Sequence, residues 1–358
     1  MSKIIGIANK TPSHKYSQPE LVQFMERFVT DETDLRKLKF LSRESGIDSK
    51  YSILQDFKQE AEPVLFKNAE KAPTTVERLA VFKSEALGLA ETAALDALEQ
   101  SQVQKEQITD IIVVSCTGIY APGLEIDLAY KLGFEKNIKR HGINFLGCYA
   151  AFHGLRLADM ICKSNANANV LLVCVELCSL HFRNDSTDDN LLSIALFGDG
   201  ASALVISNND QGNGLAELIG FDSVLIPEGK ADMSWNVGNE GFEMVLNRNV
   251  PKHIENNIAR AFEASIASQG FTRSDIDAFA IHPGGKNVLK AFARALGQEE
   301  SALASSFEVL KNFGNMSSCT VLFVLEHVLK SGEANTIFSA AFGPGLTVES
   351  AIIKAIKR

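Results

Sequence analysis

The segment Asn144-Phe-Leu-Gly-Cys-Tyr-Ala-Ala-Phe-His153 leads into a helical pattern that stays apolar on nearly every side as far as Ile161. A helix that is apolar all round is typical of the interior of a protein. Cys148 follows a glycine and stands at the mouth of this helix. Unpaired N–H groups and the positive end of the helix dipole favour a thiolate there, which predicts a reactive cysteine. A buried cysteine without a chemical role is the alternative that the segment leaves open.

Two features of the chain recur at one spacing. Asp110 and Asp277 each belong to a buried-strand run, whereas Cys148 and Asn315 each follow a glycine and open an apolar helical run. The two separations are equal, because 277 − 110 and 315 − 148 both give 167. Such a constant offset predicts that the chain contains two copies of one structural unit.

The two halves also contain related segments, Ala195-Leu-Phe-Gly-Asp-Gly200 and Ala340-Ala-Phe-Gly-Pro-Gly345, each followed by an apolar strand. Because strands alternate with helices throughout, we expect two α/β units with parallel or mixed sheets. The first unit is predicted at residues 1–207 and the second at residues 215–358. Residues 208–240 are polar and glycine-rich, and we expect them to form the crossover and a loop over the site.

Two helices carry clear end signals. Thr74-Thr-Val-Glu77 resembles a capping box and predicts a long helix that runs to about Gln100. Pro251 in a first turn and Gly270 just past the end bracket another helix.

The composition is that of an ordinary soluble globular protein, with 46% hydrophobic and 22% charged residues among 358. The formal net charge is −9, and no run of Lys and Arg is long enough to bind nucleic acid. The longest apolar run, Val170–Val175, is far too short to span a membrane. Six cysteines among apolar neighbours predict reduced thiols in a cytoplasmic protein. Cys174, Cys178 and His181 lack a second ligand pair, so no metal site is expected.

Three residues from distant parts of the chain are candidates for one pocket. Cys148, His282 and Asn315 each stand at the end of a strand or the start of a helix of the duplicated plan, and such ends converge where two halves meet. His282 is followed by Pro-Gly-Gly, which removes side-chain bulk and suggests that a large ligand passes close by. A structural histidine and a helix N-cap are the alternatives for His282 and Asn315, respectively.

Four motifs in this order resemble those of the type III polyketide synthases, the chalcone-synthase-like enzymes of the thiolase superfamily. They are Gly-Cys-Tyr-Ala-Ala from Gly147, His-Pro-Gly-Gly from His282, Gly-Asn-Met-Ser-Ser from Gly314 and Phe-Gly-Pro-Gly-Leu-Thr from Phe342. The resemblance runs from about Leu35 to Glu349. It implies the thiolase fold, in which two duplicated α/β halves form a five-layer αβαβα arrangement, and it implies a homodimer.

The resemblance assigns catalytic roles to three residues. Cys148 as a thiolate, paired with the imidazolium of His282, takes an acyl group from an acyl-CoA starter. Malonyl-CoA then loses CO₂ while His282 and Asn315 donate hydrogen bonds to its thioester oxygen. The carbanion attacks the Cys148 thioester, and repeated extension ends in cyclisation to a pyrone, resorcinol or phloroglucinol. CoA thioesters are the substrates, and neither a cofactor nor a metal is implied.

The resemblance also implies residues that surround the substrate. Phe197 is expected to line the site and to help decarboxylation. Met244 stands where the family has a second Phe, and because Met is more adaptable, it favours an aliphatic or longer acyl chain. His181 is expected either to hydrogen-bond a substrate carbonyl or to be a satisfied residue of the wall. The remaining pocket positions are Cys116, Thr117 and Ser317, Gly343 beside a second oxyanion, and Ala121, where the family has a Met that reaches into the partner subunit.

Two further sets of residues are implied for CoA. Arg36, Lys37, Lys39 and Arg43, on a helix-like stretch, are expected to bind the phosphates, although a solvated helix face is the alternative. Gly284 and Gly285 are expected to line the pantetheine tunnel.

Two other functions remain open. A ketoacyl carrier-protein synthase III, which performs one condensation, shares the Cys–His–Asn set, and Ser45-Gly-Ile-Asp-Ser-Lys50 is similar to an early motif of that family. An inactive acyl-binding partner subunit is the third possibility, and the intact Cys, His and Asn argue against it.

Overall fold

The computed structural model describes residues 1–58, 60–68, 71–183, 185–209, 212 and 214–357. Asp210, Gln211 and Asn213 of the predicted crossover, and the last residue, Arg358, lie outside the described residues. The strands are β1 Lys3–Lys10, β2 His14–Ser17, β3 Ser49–Ser52, β4 Asp110–Ser115, β5 Lys139–Asn144, β6 Asn169–Leu177, β7 Asp199–Ser207, β8 Ala216–Leu225, β9 Met233–Gly238, β10 Gly241–Leu246, β11 Ala278–Ile281, β12 Thr336–Gly343 and β13 Thr347–Ala355. The α-helices are α1 Gln18–Met25, α2 Glu32–Glu44, α3 Thr75–Ser101, α4 Leu124–Leu132, α5 Ala150–Ser164, α6 Asp188–Leu196, α7 Val250–Ser268, α8 Lys286–Leu296, α9 Ala304–Phe313 and α10 Thr320–Ser331.

The helix signals in the sequence are confirmed. Thr74 is the N-cap of α3: its side chain accepts a hydrogen bond from the Glu77 N–H, and the Glu77 side chain accepts one from the Thr74 N–H. Both bonds pair backbone donors that a helix start leaves free, which explains why α3 begins there. Helix α7 has Pro251 in its first turn and ends two residues before Gly270.

The large sheet has the strand order β11-β12-β13-β8-β1-β7-β6-β4-β5. Strands β4, β5 and β6 are mutually parallel, and β7 runs antiparallel to β6 and β1. In the same way, β11 and β12 are parallel, and β13 runs antiparallel to β12 and β8. The two series meet where β1 pairs with β8 through Lys3–Glu217 and Ile4–Ala216. The sheet therefore consists of two similar halves joined by their first strands.

Helices α5 and α10 lie between the two halves of the sheet. Helix α5 packs on β4 and β6 of the first half and also on β8 and β13 of the second, whereas α10 packs on β11 and β12 and also on β1 and β7. Helix α3 covers the outer face of the first half, and α7 covers that of the second. The result is the five-layer αβαβα arrangement of two duplicated α/β halves that the family resemblance implies. The domain boundaries at residues 207 and 215 stay a prediction.

The two halves differ where they carry their related Phe-Gly segments. Ala195 lies in α6 and Gly200 in β7, whereas Ala340 lies in β12 and Gly345 in the turn before β13. Their separation is 340 − 195 = 145, because a 3₁₀ turn at Cys178–His181 and helix α6 separate the last two strands of the first half only. These insertions bring extra side chains to the junction of the halves. Within the described ranges, no helix has both the length and the apolarity needed to cross a membrane.

The contact of α3 with β1 at Gly6 gives a test of the layered packing. A Cβ on Gly6 would lie 2.3 Å from the Ala97 carbonyl oxygen, whereas a Cβ on Gly88 of α3 would meet nothing within 4 Å. Gly6→Ala should therefore lower the free energy of unfolding by about 1–3 kcal/mol. Gly88→Ala, the matched control, should raise it by up to about 1 kcal/mol, because Ala favours a helix. Equal effects of the two changes in urea titrations would contradict this packing.

Candidate active site

Cys148 is held at the start of α5 by a tight turn. Gly147 has a left-handed backbone with φ +85°, and a Cβ at this position would lie 2.5 Å from the Pro344 ring. The preceding Phe145 also has a positive φ, of 64°. Positive φ values outside glycine are uncommon and concentrate at functional sites. The turn thus presses the Cys148 end of the first half against the β12–β13 turn of the second half, and Cys148 itself is 8% exposed.

Backbone hydrogen bonds between the two halves hold Asn315 close to Cys148. Its N–H donates to the Leu196 carbonyl at 2.9 Å, and its carbonyl accepts from the Gly198 N–H at 2.9 Å. Phe197 therefore lies beside Asn315, as an isolated bridge between two loops. The Asn315 Oδ1 and Nδ2 atoms are 3.9 and 4.0 Å from the Cys148 sulfur.

The Asn315 side chain also accepts hydrogen bonds from the turn that follows it. The N-cap alternative is wrong, because Met316 is the N-cap of the 3₁₀ turn Ser317–Cys319 and Cys319 is that of α10. Oδ1 accepts a hydrogen bond from the Ser317 N–H at 2.8 Å and from the Thr320 hydroxyl at 3.4 Å. These bonds fix the orientation of the amide. Its Nδ2 group has the Gly284 carbonyl at 3.5 Å, which leaves donor capacity toward the sulfur and the space around it.

His282 follows β11, and its backbone N–H donates to the Ala340 carbonyl at 2.8 Å. Its side chain is 1% exposed, and neither ring nitrogen has a hydrogen-bond partner. A buried polar group without a partner costs about 1–3 kcal/mol, so such groups are rare and need an explanation. The ring borders the same cavity as Cys148 and Asn315. An imidazole without hydrogen-bond partners at the wall of a cavity can form hydrogen bonds with a ligand bound there.

Burial shifts the pKa values of both groups of the predicted ion pair. Burial raises the pKa of the Cys148 thiol to about 12, although hydrogen bonding to Ser317 and Asn315 opposes the shift. Burial also lowers the pKa of His282 to about 3. Both shifts favour a neutral thiol and a neutral imidazole in the free protein, and the thiolate–imidazolium pair stays a prediction. Desolvation outweighs the helix dipole because both groups lie in the interior rather than at an open helix end.

The cavity has a volume of about 580 Å³, which falls within the usual range for small-molecule sites. It lies where the two halves meet and draws residues from both. Eleven of the residues singled out in the sequence line it: Cys116, Thr117, Cys148, His181, Phe197, Met244, His282, Gly284, Gly285, Asn315 and Ser317.

The β9–β10 hairpin forms an apolar wall that the sequence interpretation missed, apart from Met244. Met233 and Trp235 of β9 and Phe242 and Leu246 of β10 border the cavity. The Trp235 Nε1–H donates to the Cys116 carbonyl at 2.8 Å, which fastens the hairpin to the first half. The alternation of Met233 and Trp235 with polar neighbours is a strand signal that could have located this wall. Residues 208–240 thus contain strands β8 and β9 rather than only a loop.

His181 is a satisfied residue of the wall. Its Nε2 lies 2.7 Å from the Thr117 carbonyl, and its Nδ1 accepts from the Phe242 N–H at 3.0 Å. The ring stacks on Phe242 with centroids 4.2 Å apart, and burial lowers the pKa of His181 to about 3. With both nitrogens engaged, the expected alternative of a hydrogen bond to a substrate carbonyl is wrong for this geometry.

The buried carboxyl group of Glu176 accepts hydrogen bonds from several polar groups at the bottom of the cavity. Glu176 accepts from the Cys116 N–H at 3.0 Å, from the Thr117 hydroxyl at 2.8 Å and from the Ser318 hydroxyl. Burial raises the pKa of Glu176. The Cys116 sulfur is also 2.9 Å from the Ser317 hydroxyl. These hydrogen bonds fix the positions of Cys116 and Thr117, which line the bottom of the cavity.

Six predicted site residues do not line the cavity. Ala121 is exposed, and Gly343 lies behind the turn, where a Cβ would be 3.6 Å from the Cys148 backbone nitrogen. The four basic residues of α2 are exposed on its outer side, whereas Phe40, Leu41, Glu44 and Ser45 of this helical region border the cavity. Their polar contacts are Arg36 to Thr33, Lys37 to Asp34 and Asp188, Lys39 to Glu26, and Arg43 to Glu44. Their role in phosphate binding stays a prediction.

Other basic residues border the cavity instead. Arg183, Arg248, Lys286 and Lys290 do so. Arg183 is paired with Asp185 and Glu243, and Lys290 with Glu300. The described residues contain no group of three His, Cys, Asp or Glu side chains placed to hold a metal ion.

Comparison with known proteins gives the same family over both halves. Residues 1–210 match the N-terminal domain of the chalcone and stilbene synthases, and residues 218–357 match their C-terminal domain. The "Alpha-pyrone synthesis polyketide synthase-like Pks18" of Mycobacterium tuberculosis is 29% identical over 99% of this chain and 91% of its own length. The "Probable polyketide synthase 1" of Dictyostelium discoideum is also 29% identical, and this chain spans 11% of its length.

Solved structures of polyketide synthases are similar to this chain over nearly its whole length. The structure of PKS-I from the brown alga Ectocarpus siliculosus has a TM-score of 0.94 and 26% identity, with 99% of this chain and 98% of that chain covered. The C-terminal type III polyketide synthase domain of Steely1, from Dictyostelium, has a TM-score of 0.92 and 29% identity, with 99% of each chain covered. With both family domains matched in order along the chain, this protein belongs to the chalcone and stilbene synthase family.

Proposed function

We propose that this protein is an iterative, CoA-dependent polyketide synthase that carries the growing chain on Cys148. One observation carries the proposal: a thiol, a carboxamide and an unpartnered imidazole from separate elements border one cavity between the halves. Acyl-CoA starters and malonyl-CoA are the substrates, and the side chains present suffice for the chemistry without a further cofactor. The printed name of the mycobacterial relative points to an α-pyrone as one product class.

Loading begins from the neutral pair. The neutral His282 imidazole offers one acceptor nitrogen, which takes the Cys148 proton as the sulfur attacks the starter thioester. The CoA thiolate leaves and takes that proton, so the acyl group ends on Cys148 with the imidazole neutral again. Free structures often lack the aligned hydrogen bond between such groups, which forms when the substrate binds.

Extension uses Asn315 and His282 as hydrogen-bond donors. Malonyl-CoA breaks its carboxylate C–C bond, CO₂ departs, and the electron pair places negative charge on the thioester oxygen. The Asn315 amide and the N–H of the neutral His282 donate to this oxygen, and each such donor is worth roughly 3 kcal/mol of barrier. The carbanion then attacks the acyl carbon on Cys148, and the cysteine thiolate leaves. Phe197, next to Asn315, keeps this end of the cavity apolar.

We propose an aliphatic acyl group as the starter. The hairpin wall is apolar, and Met244 stands in it with Met233 and Leu246. The His181 ring is committed to Thr117 and Phe242, so this side of the cavity offers surface rather than hydrogen bonds. A flexible chain matches a wall that contains two methionines.

The phosphates of CoA fit the mouth formed by the second half. Lys286 and Lys290 of α8, with Arg248 before α7, border the cavity. The four basic residues of α2 do not border the cavity. The homodimer and the cytoplasmic location belong to the same proposal; six free cysteines and the exposed Ile119 and Ala121 support them.

The product assay tests the proposal directly. The pure protein is incubated with malonyl-CoA and a panel of acyl-CoA starters, and products are identified by mass spectrometry. Multiply extended, cyclised products are expected, with aliphatic starters used best. A strong preference for malonyl carrier protein and a single extension would instead select the synthase III alternative, and no turnover with any donor would select the acyl-binding subunit.

Substitution of Cys148 separates the two half-reactions. Cys148→Ala should abolish loading and condensation because no acyl acceptor remains. Cys148→Gln should still release CO₂ from malonyl-CoA, since its amide resembles the acylated thiol. In the Cys148→Gln protein, His282→Ala should slow CO₂ release by about 100- to 1,000-fold. A Cys148→Gln protein that releases no CO₂ would contradict the assigned roles.

The rate of thiol alkylation tests the neutral pair. With the pKa of Cys148 raised to about 12, the thiolate fraction, and with it the rate of reaction with iodoacetamide, should rise about tenfold per pH unit through the neutral range. A thiolate–imidazolium pair would instead give a plateau below pH 8. Peptide mass spectrometry follows Cys148 alone, and Cys148→Ala provides the blank. A plateau at neutral pH would sink the neutral-pair description.

Two lysine pairs locate the CoA phosphates. Replacing Lys286 and Lys290 together by neutral residues should raise KM for malonyl-CoA about tenfold, because charged hydrogen bonds to phosphate are lost. The same double change at Lys37 and Lys39 tests the earlier prediction for α2. Malonyl-N-acetylcysteamine lacks the nucleotide, so its KM should not change in either protein. A larger rise in KM after the change at Lys37 and Lys39 would show that the phosphates bind at α2 instead.

A further inference from the structure

Lys50 is a buried cation that no step of the proposed reaction uses. It ends the motif Ser45-Gly-Ile-Asp-Ser-Lys50 and lies on β3, where it is 4% exposed. Burying a lysine is costly and needs specific compensation. Lys50 lies beside the Phe197–Asn315 bridge, and this position suggests a role for the buried side chain.

The Lys50 side chain packs against both loops of the bridge. Gly314, directly before Asn315, has φ +70°, and a Cβ there would lie 2.8 Å from the Lys50 Cδ atom. Gly198, directly after Phe197, would place a Cβ 3.3 Å from the Lys50 Cβ atom. Both glycines thus make room for the same methylene chain, and the length of that chain sets how closely the two loops approach β3.

The amine of Lys50 anchors the helix that leads into Phe197. It donates a hydrogen bond to the Ile194 carbonyl, in the last turn of α6. A cation is stabilised at a helix C-terminus by the dipole and by the free carbonyls. The amine also lies 5.6 Å from the centroid of the Phe182 ring, which borders the cavity.

Two titratable groups act on this amine. Asp199 of β7 and Cys178 of the 3₁₀ turn both favour its charged form, but burial dominates and lowers the pKa of Lys50 to about 7. Asp199 is held by Ser179 and by the Ile53 N–H, and burial raises its pKa to about 6. On the side of Asn315, the contacting residue is Gly314, which carries no titratable group. The charge of Lys50 is therefore lost as the pH rises through about 7.

We propose that Lys50 is a positioning residue for decarboxylation: through Gly198 and Gly314 it holds Phe197 and Asn315 at the distance from Cys148 that the oxyanion requires. The inference rests on the proposed function and adds a residue that touches no substrate. Without the cation, the Ile194 carbonyl loses its partner, and the two loops lose their common support. A displacement of about 1 Å at a reacting centre can cost about 100-fold in rate.

The test uses malonyl-CoA decarboxylation in the Cys148→Gln background, where the thiol does not titrate. Lys50→Met keeps a chain of similar length without charge, and Lys50→Arg keeps a charge that does not titrate near neutrality. Lys15→Met is the matched control, because Lys15 is exposed on β2, which pairs with β3. We expect Lys50→Met to lower kcat about 10- to 100-fold with KM little changed, and Lys15→Met to leave both unchanged.

The pH profile provides a readout that a merely structural lysine would not move. In the Cys148→Gln protein, kcat should fall as the pH rises above about 7, because the Lys50 amine loses its proton. Adding Lys50→Arg should remove that fall, even if the larger side chain lowers kcat overall.

Three results would overturn the inference, and the two pH profiles among them can be measured even where Lys50→Met does not fold. An unchanged kcat in Lys50→Met would do so, and so would a flat profile above pH 7 in the Cys148→Gln protein or the same fall in Lys50→Arg. Absence of CO₂ from Cys148→Gln itself would contradict the proposed function, and this inference would fall with it.

Discussion

The architecture depends on two apolar helices that must both be removed from water. Helices α5 and α10 carry apolar side chains around most of their circumference, and each packs on strands from both halves of the sheet. Neither half alone could cover them, so the burial that stabilises these helices also joins the halves. Because the helices are related by the duplication, the residues just before them meet, and the Cys148 sulfur lies within 4.0 Å of the Asn315 amide.

The same burial sets the chemistry of the site. The buried position of the thiol and the imidazole favours their neutral forms, since desolvation penalises both charged forms. It also keeps water from a carbanion that water would protonate, and it strengthens hydrogen bonds to a developing oxyanion. The unpartnered His282 ring costs stability in the free protein, and that donor capacity becomes useful when a thioester oxygen arrives. Stability and reactivity are thus opposed at one residue.

Local sequence patterns predicted much of this molecule, and long-range neighbours explain what they missed. The capping box at Thr74 and the 167-residue offset depend on nearby residues or on a repeat, and both are visible in one chain. The ion pairs of Lys37 with Asp188 and of Lys39 with Glu26 join different elements, so the helix α2 residues looked like a free basic patch. The thiolate expectation for Cys148 followed from the free N–H groups and the dipole of a helix start and from the family resemblance. It took no account of burial, because the depth of burial depends on the whole fold. Trp235 was missed because it lies in the segment 208–240, which was interpreted as a crossover and a loop, and Phe242 lies just beyond that segment on the strand that pairs with β9.

The central claim is that Cys148, in this buried setting, accepts the acyl group. Intact-protein mass spectrometry after brief exposure to an aliphatic acyl-CoA, without malonyl-CoA, tests that claim most directly. We predict a mass increase of one acyl group, located on the peptide that contains Cys148 and released by hydroxylamine as a thioester. An unmodified protein, or an acyl group on one of the other five cysteines, would contradict this account.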